Sequence, residues 1–170
     1  MSRGERVVRQ THARTCGAAA LATLLREVLG QPADEAGILR KLGTRKAVDM
    51  DRLRRCAAGL GLRAHGYALD TATLGRVGRP GILHLQGSRE LGHYVVLRGV
   101  DAENIRLADP ARGDRYVSRD AFEVLWTAGR GEGRVLYVDQ ADSDWLPLKG
   151  PEDLPGRRAE SSPLDWFPPA

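Results

Sequence analysis

The chain has 170 residues and a formal charge of +4, from 26 basic and 22 acidic residues. That length suits one domain and lets roughly 70% of the unfolded chain's surface be buried, so a core needs no disulfide or metal staple. Hydrophobic residues make up 42% and charged residues 28%, a balance that excludes a disordered or fibrous protein. No apolar run approaches the ~18 residues of a membrane span.

Apart from Lys41, Lys46 and Lys149, every basic residue is an arginine, scattered and not interleaved with aromatics. The pattern carries no nucleic-acid signature. Cys16 and Cys56 form no CxxC pair, and His12, His65, His84 and His93 show no metal-ligand spacing, so neither a metal nor a cofactor is expected. The start, Met1 to Glu5, has no apolar segment behind it. A cytoplasmic location is therefore expected for the chain as given, or a periplasmic one if a leader precedes it.

In chain order, the first periodic segment runs from Cys16 to Leu29. Leu21, Leu24, Leu25, Val28 and Leu29 recur at helical spacing, one stripe of an amphipathic helix that stops at Gly30, with Thr15 as its N-cap candidate. Pro32 to Leu42 reads as a second helix, with Ile38, Leu39 and Leu42 inward. Asp49 caps a third, with Met50, Leu53, Ala57 and Leu60 on one face. From Leu62 the character changes to strands. These are Leu62–Leu69, Gly81–Gln86, His93–Val100, Ile105–Asp109 and Arg134–Val138, with a short helix at Ser118–Trp126. Helices first and strands later predict an α+β fold, with helices on one side of a mostly antiparallel sheet. The expected organisation is one domain over residues 1–140 and a polar, proline-rich, loosely held C-terminal arm over 141–170.

A thiolate is stabilised at a helix N-terminus or beside an imidazolium, and Cys16 opens a helix. Cys56 lies inside one, near its apolar side, where a thiol behaves as a small hydrophobe. A turn at Asp101–Asn104 would fold two strands back to back and bring His93, at the start of one, to Asp109, at the end of the next. An imidazole there could take the thiol proton and a carboxylate could orient the ring. Gln10, six residues before Cys16, could supply one oxyanion donor beside the cysteine N–H. Taken singly, each of these residues also has a plain structural reading.

Together they bring a family into view. The run Arg9 to Ala22, the stretch Gly92-His93-Tyr94-Val95-Val96 and the stretch Ala108-Asp109-Pro110-Ala111-Arg112-Gly113 resemble the motifs of the bacteriocin-processing, double-glycine cysteine peptidases. That family is papain-like, and the likeness spans about residues 7–138. The resemblance implies a papain-like cysteine peptidase fold with N-terminal helices packed on the sheet. It implies cleavage after a Gly-Gly pair in a leader peptide, through a slot that any side chain would block. By matching position, Cys16 would be the nucleophile, His93 the base, Asp109 its orienter and Gln10 the oxyanion donor. Gly17, Gly92 and Tyr94, next to the cysteine and histidine, are the substrate-contacting candidates. Thr15 stands where exporter-fused members often carry an acidic residue.

The expected partner is a peptide or protein substrate with a Gly-Gly leader, with an exporter as a further candidate, and the chain is expected to be a free-standing monomer. Two other functions use the same residues. A papain-like acyltransferase or transglutaminase would pass the thioester to an amine, and a non-cleaving module would only bind the leader.

Overall fold

The computed structural model describes residues 7–86 and 92–145. Among them the elements follow as α1 (Cys16–Leu29), α2 (Glu35–Leu42), α3 (Met50–Gly59), β1 (Arg63–Leu69), α4 (Thr71–Val77), β2 (Gly81–Leu85), β3 (His93–Val100), β4 (Asn104–Asp109), β5 (Gly113–Ser118), α5 (Arg119–Thr127) and β6 (Gly133–Asp139). No helix among the described residues is long and apolar enough to cross a membrane.

Helix α1 forms where the periodicity predicts it. Its small alanines and Leu21 and Leu24 are buried, and it ends at Gly30, whose left-handed backbone (φ 62°) lets its N–H reach the Leu25 carbonyl. Val28 departs from expectation at 39% exposed, while Leu29 beside it packs against the core. Helix α2 starts at Glu35 rather than Pro32. Asp34 is extended, and its carboxylate accepts from the Gly37 N–H at 2.7 Å, which sets the helix start. Asp49 caps α3 through the Arg52 N–H at 2.8 Å. Leu60, expected on the inward face of α3, packs half-buried against that core as the helix's C-cap.

The sheet has six strands in the order β1-β6-β2-β3-β4-β5, every neighbouring pair antiparallel. Alternate residues divide between two cores. Tyr94, Val96, Leu136 and Val138 pack with α1, α2 and α3. Val95, Leu97, Val135 and Tyr137 pack on the opposite face with Leu74 of α4 and with Phe122 and Trp126 of α5. Helices therefore cover both faces, which corrects the expectation of helices on one side. Double coverage also explains why the central strands read as continuous apolar runs rather than alternating ones.

Two elements were not anticipated. Helix α4 is short and threonine-rich with Gly75 inside it, so its propensity is low. Asp70, capping through the Thr73 N–H at 2.7 Å, and a terminal Gly78 define it. Strand β5 pairs only with β4, at the edge of the sheet, and buries little but Val117.

After β6 the chain stays packed through Trp145. Its ring meets Tyr137 edge-on at 5.0 Å, and the Arg79 guanidinium lies 4.2 Å from its centroid. Ser143 donates to the Asp139 carboxylate at 2.7 Å. The arm expected to be loose from residue 141 thus begins with a docked segment, and its remainder, from residue 146, lies outside the described residues.

Candidate active site

The site forms where the first turn of α1 meets the open end of the β3–β4 hairpin. Asp101 makes the turn: its carboxylate accepts from the N–H groups of Glu103 and Asn104, at 2.9 and 2.7 Å. Antiparallel pairing then sets the start of β3 beside the end of β4. His93 Nε2 lies 2.7 Å from Asp109 Oδ1, and both side chains are buried.

Cys16, the first residue of α1, is also buried, at 8% exposed. Its thiol lies within electrostatic reach of the His93 ring and of the backbone N–H groups of Tyr94 and Gly17. With Nε2 held by Asp109, Nδ1 is the imidazole nitrogen left for the sulfur. Burial pushes the Cys16 thiol pKa up, but His93 and the Tyr94 N–H, with the imidazolium charge, bring it below the ordinary value. Burial alone would lower the His93 pKa; Asp109 and Cys16 push it up to about 9. Burial likewise opposes ionisation of Asp109, yet His93, the Ala111 N–H and Arg115 hold its carboxyl far below the usual range. The arrangement favours a thiolate facing an imidazolium.

Gln10 is placed beside this group by its backbone, whose N–H donates to the Pro110 carbonyl at 3.0 Å, directly after Asp109. Its side-chain Nε2 donates to the His12 carbonyl at 2.8 Å. That bond uses one of the two amide hydrogens and orients the group. Thr15 differs from its expected role as N-cap: it makes no side-chain cap, and its hydroxyl instead donates to the His12 carbonyl and accepts from the His12 N–H, at 3.0 and 3.2 Å. Those bonds shape the loop that carries the chain from Gln10 into the cysteine.

Gly17, Gly92 and Tyr94 all line a small cleft of about 30 Å³ at Cys16, together with Ala47 and Val48. A Cβ on Gly17 would stand 3.3 Å from Leu53 and from the Tyr94 ring. Gly92 has φ +71°, and a Cβ there would fall 2.2 Å from His84 Nε2. His84 is half-buried and its ring packs against Tyr94, tilted, with centroids 4.7 Å apart, so it backs the cleft wall. His12 is exposed. Cys56 is half-buried in α3, and burial raises its thiol pKa. Among the described residues, no group of three or more His, Cys, Asp or Glu side chains gathers into a metal cluster.

Comparison with known proteins now decides the family. Residues 5–141 match the Peptidase C39 family. The chain belongs to the peptidase C39 family. It is a cysteine peptidase with that family's papain-like fold. It is 36% identical over 141 residues to an uncharacterized protein of Methanothermobacter marburgensis, covering 81% of this chain and 91% of the other. It is 31% identical over 120 residues to the probable functional amyloid protease FapD of Pseudomonas aeruginosa, covering 66% of this chain and 53% of FapD. This C39 chain therefore spans about half the length of that relative. Among solved structures, it resembles a double glycine motif protease from an AMS/PCAT transporter, in complex with the leader peptide. That match has a TM-score of 0.66 and 27% identity, covering 81% of this chain and 95% of the other.

Sequence reasoning did not find two residues that hold the C39 site together. Arg115 donates to Asp109 Oδ2 at 3.0 Å. Glu35, buried at the start of α2, accepts the Thr11 N–H on its carboxylate at 3.0 Å. A buried glutamate in a first helical turn reads from sequence as an ordinary dipole partner, and Arg115 sits in the strand that the apolar pattern left invisible.

Proposed function

We propose that this C39 peptidase cleaves the bond after a Gly-Gly pair in a leader peptide, with Cys16 as nucleophile, His93 as acid and base, Asp109 as its orienter and Gln10 as an oxyanion donor. The observation that carries the reading is the buried His93–Asp109 pair, 2.7 Å apart, beside a buried Cys16 whose thiol pKa His93 lowers.

The Cys16 thiolate attacks the carbonyl carbon and its π electrons move to oxygen. The second Gln10 amide hydrogen and the Cys16 N–H, at the unpaired start of α1, receive that oxyanion. His93 Nδ1 gives its proton to the leaving amine as the C–N bond breaks, leaving a thioester. Water then attacks the thioester, giving a proton to His93; the C–S bond breaks and the carboxylate product leaves. Asp109 keeps the ring aimed through both steps.

The smallness of the cleft at Cys16, about 30 Å³, supports glycine selectivity, since a narrow slot disfavours a substrate side chain. The similar double-glycine protease supports a leader-bearing substrate. On this reading the catalytic domain is residues 1–140, in keeping with the family match over 5–141. It would act as a monomer on leaders in the cytoplasm, for a separate exporter, with residues 141–170 as an arm.

The test is turnover of a synthetic Gly-Gly leader peptide by the wild-type chain, Cys16→Ala and His93→Ala, with folding checked by circular dichroism. Cleavage after the second glycine, lost in both variants, is expected. Undiminished turnover in either folded variant, or a product that has gained an added amine instead of water, overturns the proposal.

A further inference from the structure

Asp109 is 1% exposed, so each of its carboxylate oxygens depends on protein donors. Oδ1 accepts from His93 Nε2 at 2.7 Å and from the Ala111 N–H at 2.8 Å. Oδ2 accepts from Arg115 Nη1 at 3.0 Å. Partial rotation about the last side-chain bond would swing Oδ1 out of line with His93 Nε2. The Arg115 contact on Oδ2 opposes that rotation, because turning away would leave a buried carboxylate oxygen without a donor and the guanidinium without its acceptor.

Arg115 comes from the neighbouring strand. On β5 it pairs with Leu107 while Gly113 pairs with Asp109, so its side chain reaches back along the ladder to the carboxylate. It is 26% exposed, with its head committed inward. Arg9 braces the following loop from the other side, donating to the Pro110 and Ala111 carbonyls at 3.2 and 2.6 Å. Those bonds hold the backbone that supplies the Ala111 N–H; the contact to the carboxylate itself is made by Arg115.

We propose that Arg115 is a positioning residue of the peptidase site, pinning Oδ2 of Asp109 so that Oδ1 stays directed at His93. The proposal rests on the reading of Cys16, His93 and Asp109 as the catalytic group. Arg115 acts through Asp109 and touches no reacting atom, so its removal slows the chemical step without weakening substrate binding.

The experiment compares the full chain with Arg115→Met, Arg115→Lys and, as a control, Arg106→Met, an exposed arginine on β4. Two readouts are taken: kcat and KM on a Gly-Gly leader peptide, and the proton resonance of His93 Nε2–H, which needs no substrate. In Arg115→Met, kcat is expected to fall about tenfold, the lower end of what losing a partner of a functional side chain costs, with KM unchanged. The Nε2–H resonance should broaden or move upfield. Arg115→Lys, which keeps a cationic donor, should restore most of both, and Arg106→Met should change neither. An Arg115→Met protein with the wild-type resonance overturns the proposal, whether its kcat is unchanged or falls only with the folded fraction. If the wild-type chain cleaves no Gly-Gly peptide while Arg115→Met still loses the resonance, the cleavage reading fails and the positioning role stands.

Discussion

His93 and Asp109 lie sixteen residues apart in the chain, yet His93 Nε2 and Asp109 Oδ1 are 2.7 Å apart and buried. This bond decides which imidazole nitrogen faces Cys16, and with it how the thiol is ionised. Asp109 receives three donors, from His93, Ala111 and Arg115, so it is fixed before any substrate arrives.

The charge state of this group predicts a bell-shaped pH profile for kcat/KM. The acid limb lies below the ordinary thiol value because the Cys16 pKa is lowered. The alkaline limb falls near pH 9, where His93 loses the proton that the leaving amine needs. Asp109→Ala removes the bond that raises His93, so the alkaline limb should move to lower pH. The acid limb should move up as the thiolate loses its imidazolium. Iodoacetamide trapping across pH follows the thiolate, and peptide turnover follows both limbs; an unchanged profile in Asp109→Ala refutes the assignment. Stability responds by linkage. His93 is raised in the fold, so its contribution is full below its unfolded value near ~6.5 and is lost as pH rises through about 9. Asp109 is lowered, so its contribution is present above ~3.9 and is lost as pH falls through its depressed folded value.

Gln10→Ala should cut kcat by about 10²–10³-fold, the usual cost of one oxyanion donor. Its only side-chain bond among the described residues is to the His12 carbonyl in an exposed loop, so urea unfolding should shift by no more than about 0.5 kcal/mol. A variant that keeps full kcat excludes Gln10 from the transition state.

Gly92→Ala tests the cleft wall. The left-handed backbone at φ +71° and the close approach of His84 Nε2 together should cost about 1–3 kcal/mol of stability. The accompanying shift of His84 should disturb the neighbouring Tyr94 ring and raise KM for the Gly-Gly peptide. Unchanged denaturation would mean that the wall yields at no cost.

The residues that the sequence makes legible share one property: their roles follow from near neighbours. Cys16 opens a helix because a periodic apolar stripe begins there and Gly30 ends it. His93 and Asp109 bound two apolar runs joined by a turn centred on Asp101, so their meeting follows from strand length and antiparallel return. The motifs around Gln10, Cys16, His93 and Asp109 carried the family likeness, and the match over residues 5–141 bears that likeness out.

The sequence by itself therefore determined the helix that presents the thiol, the hairpin that presents the ring, and the α+β class. Only the tertiary structure decided which side chains serve those groups. Thr15 turned to the His12 loop instead of capping α1, and α4 with α5 closed the second face of the sheet. Arg9 crossed from the N-terminal segment to the loop after Asp109, and Arg115 reached Asp109 from an edge strand with almost no apolar signal. Local conformational preference and periodicity are set within a few residues of chain. A long polar side chain instead takes the partner that burial leaves unsatisfied, and that partner is defined only once the strands are packed.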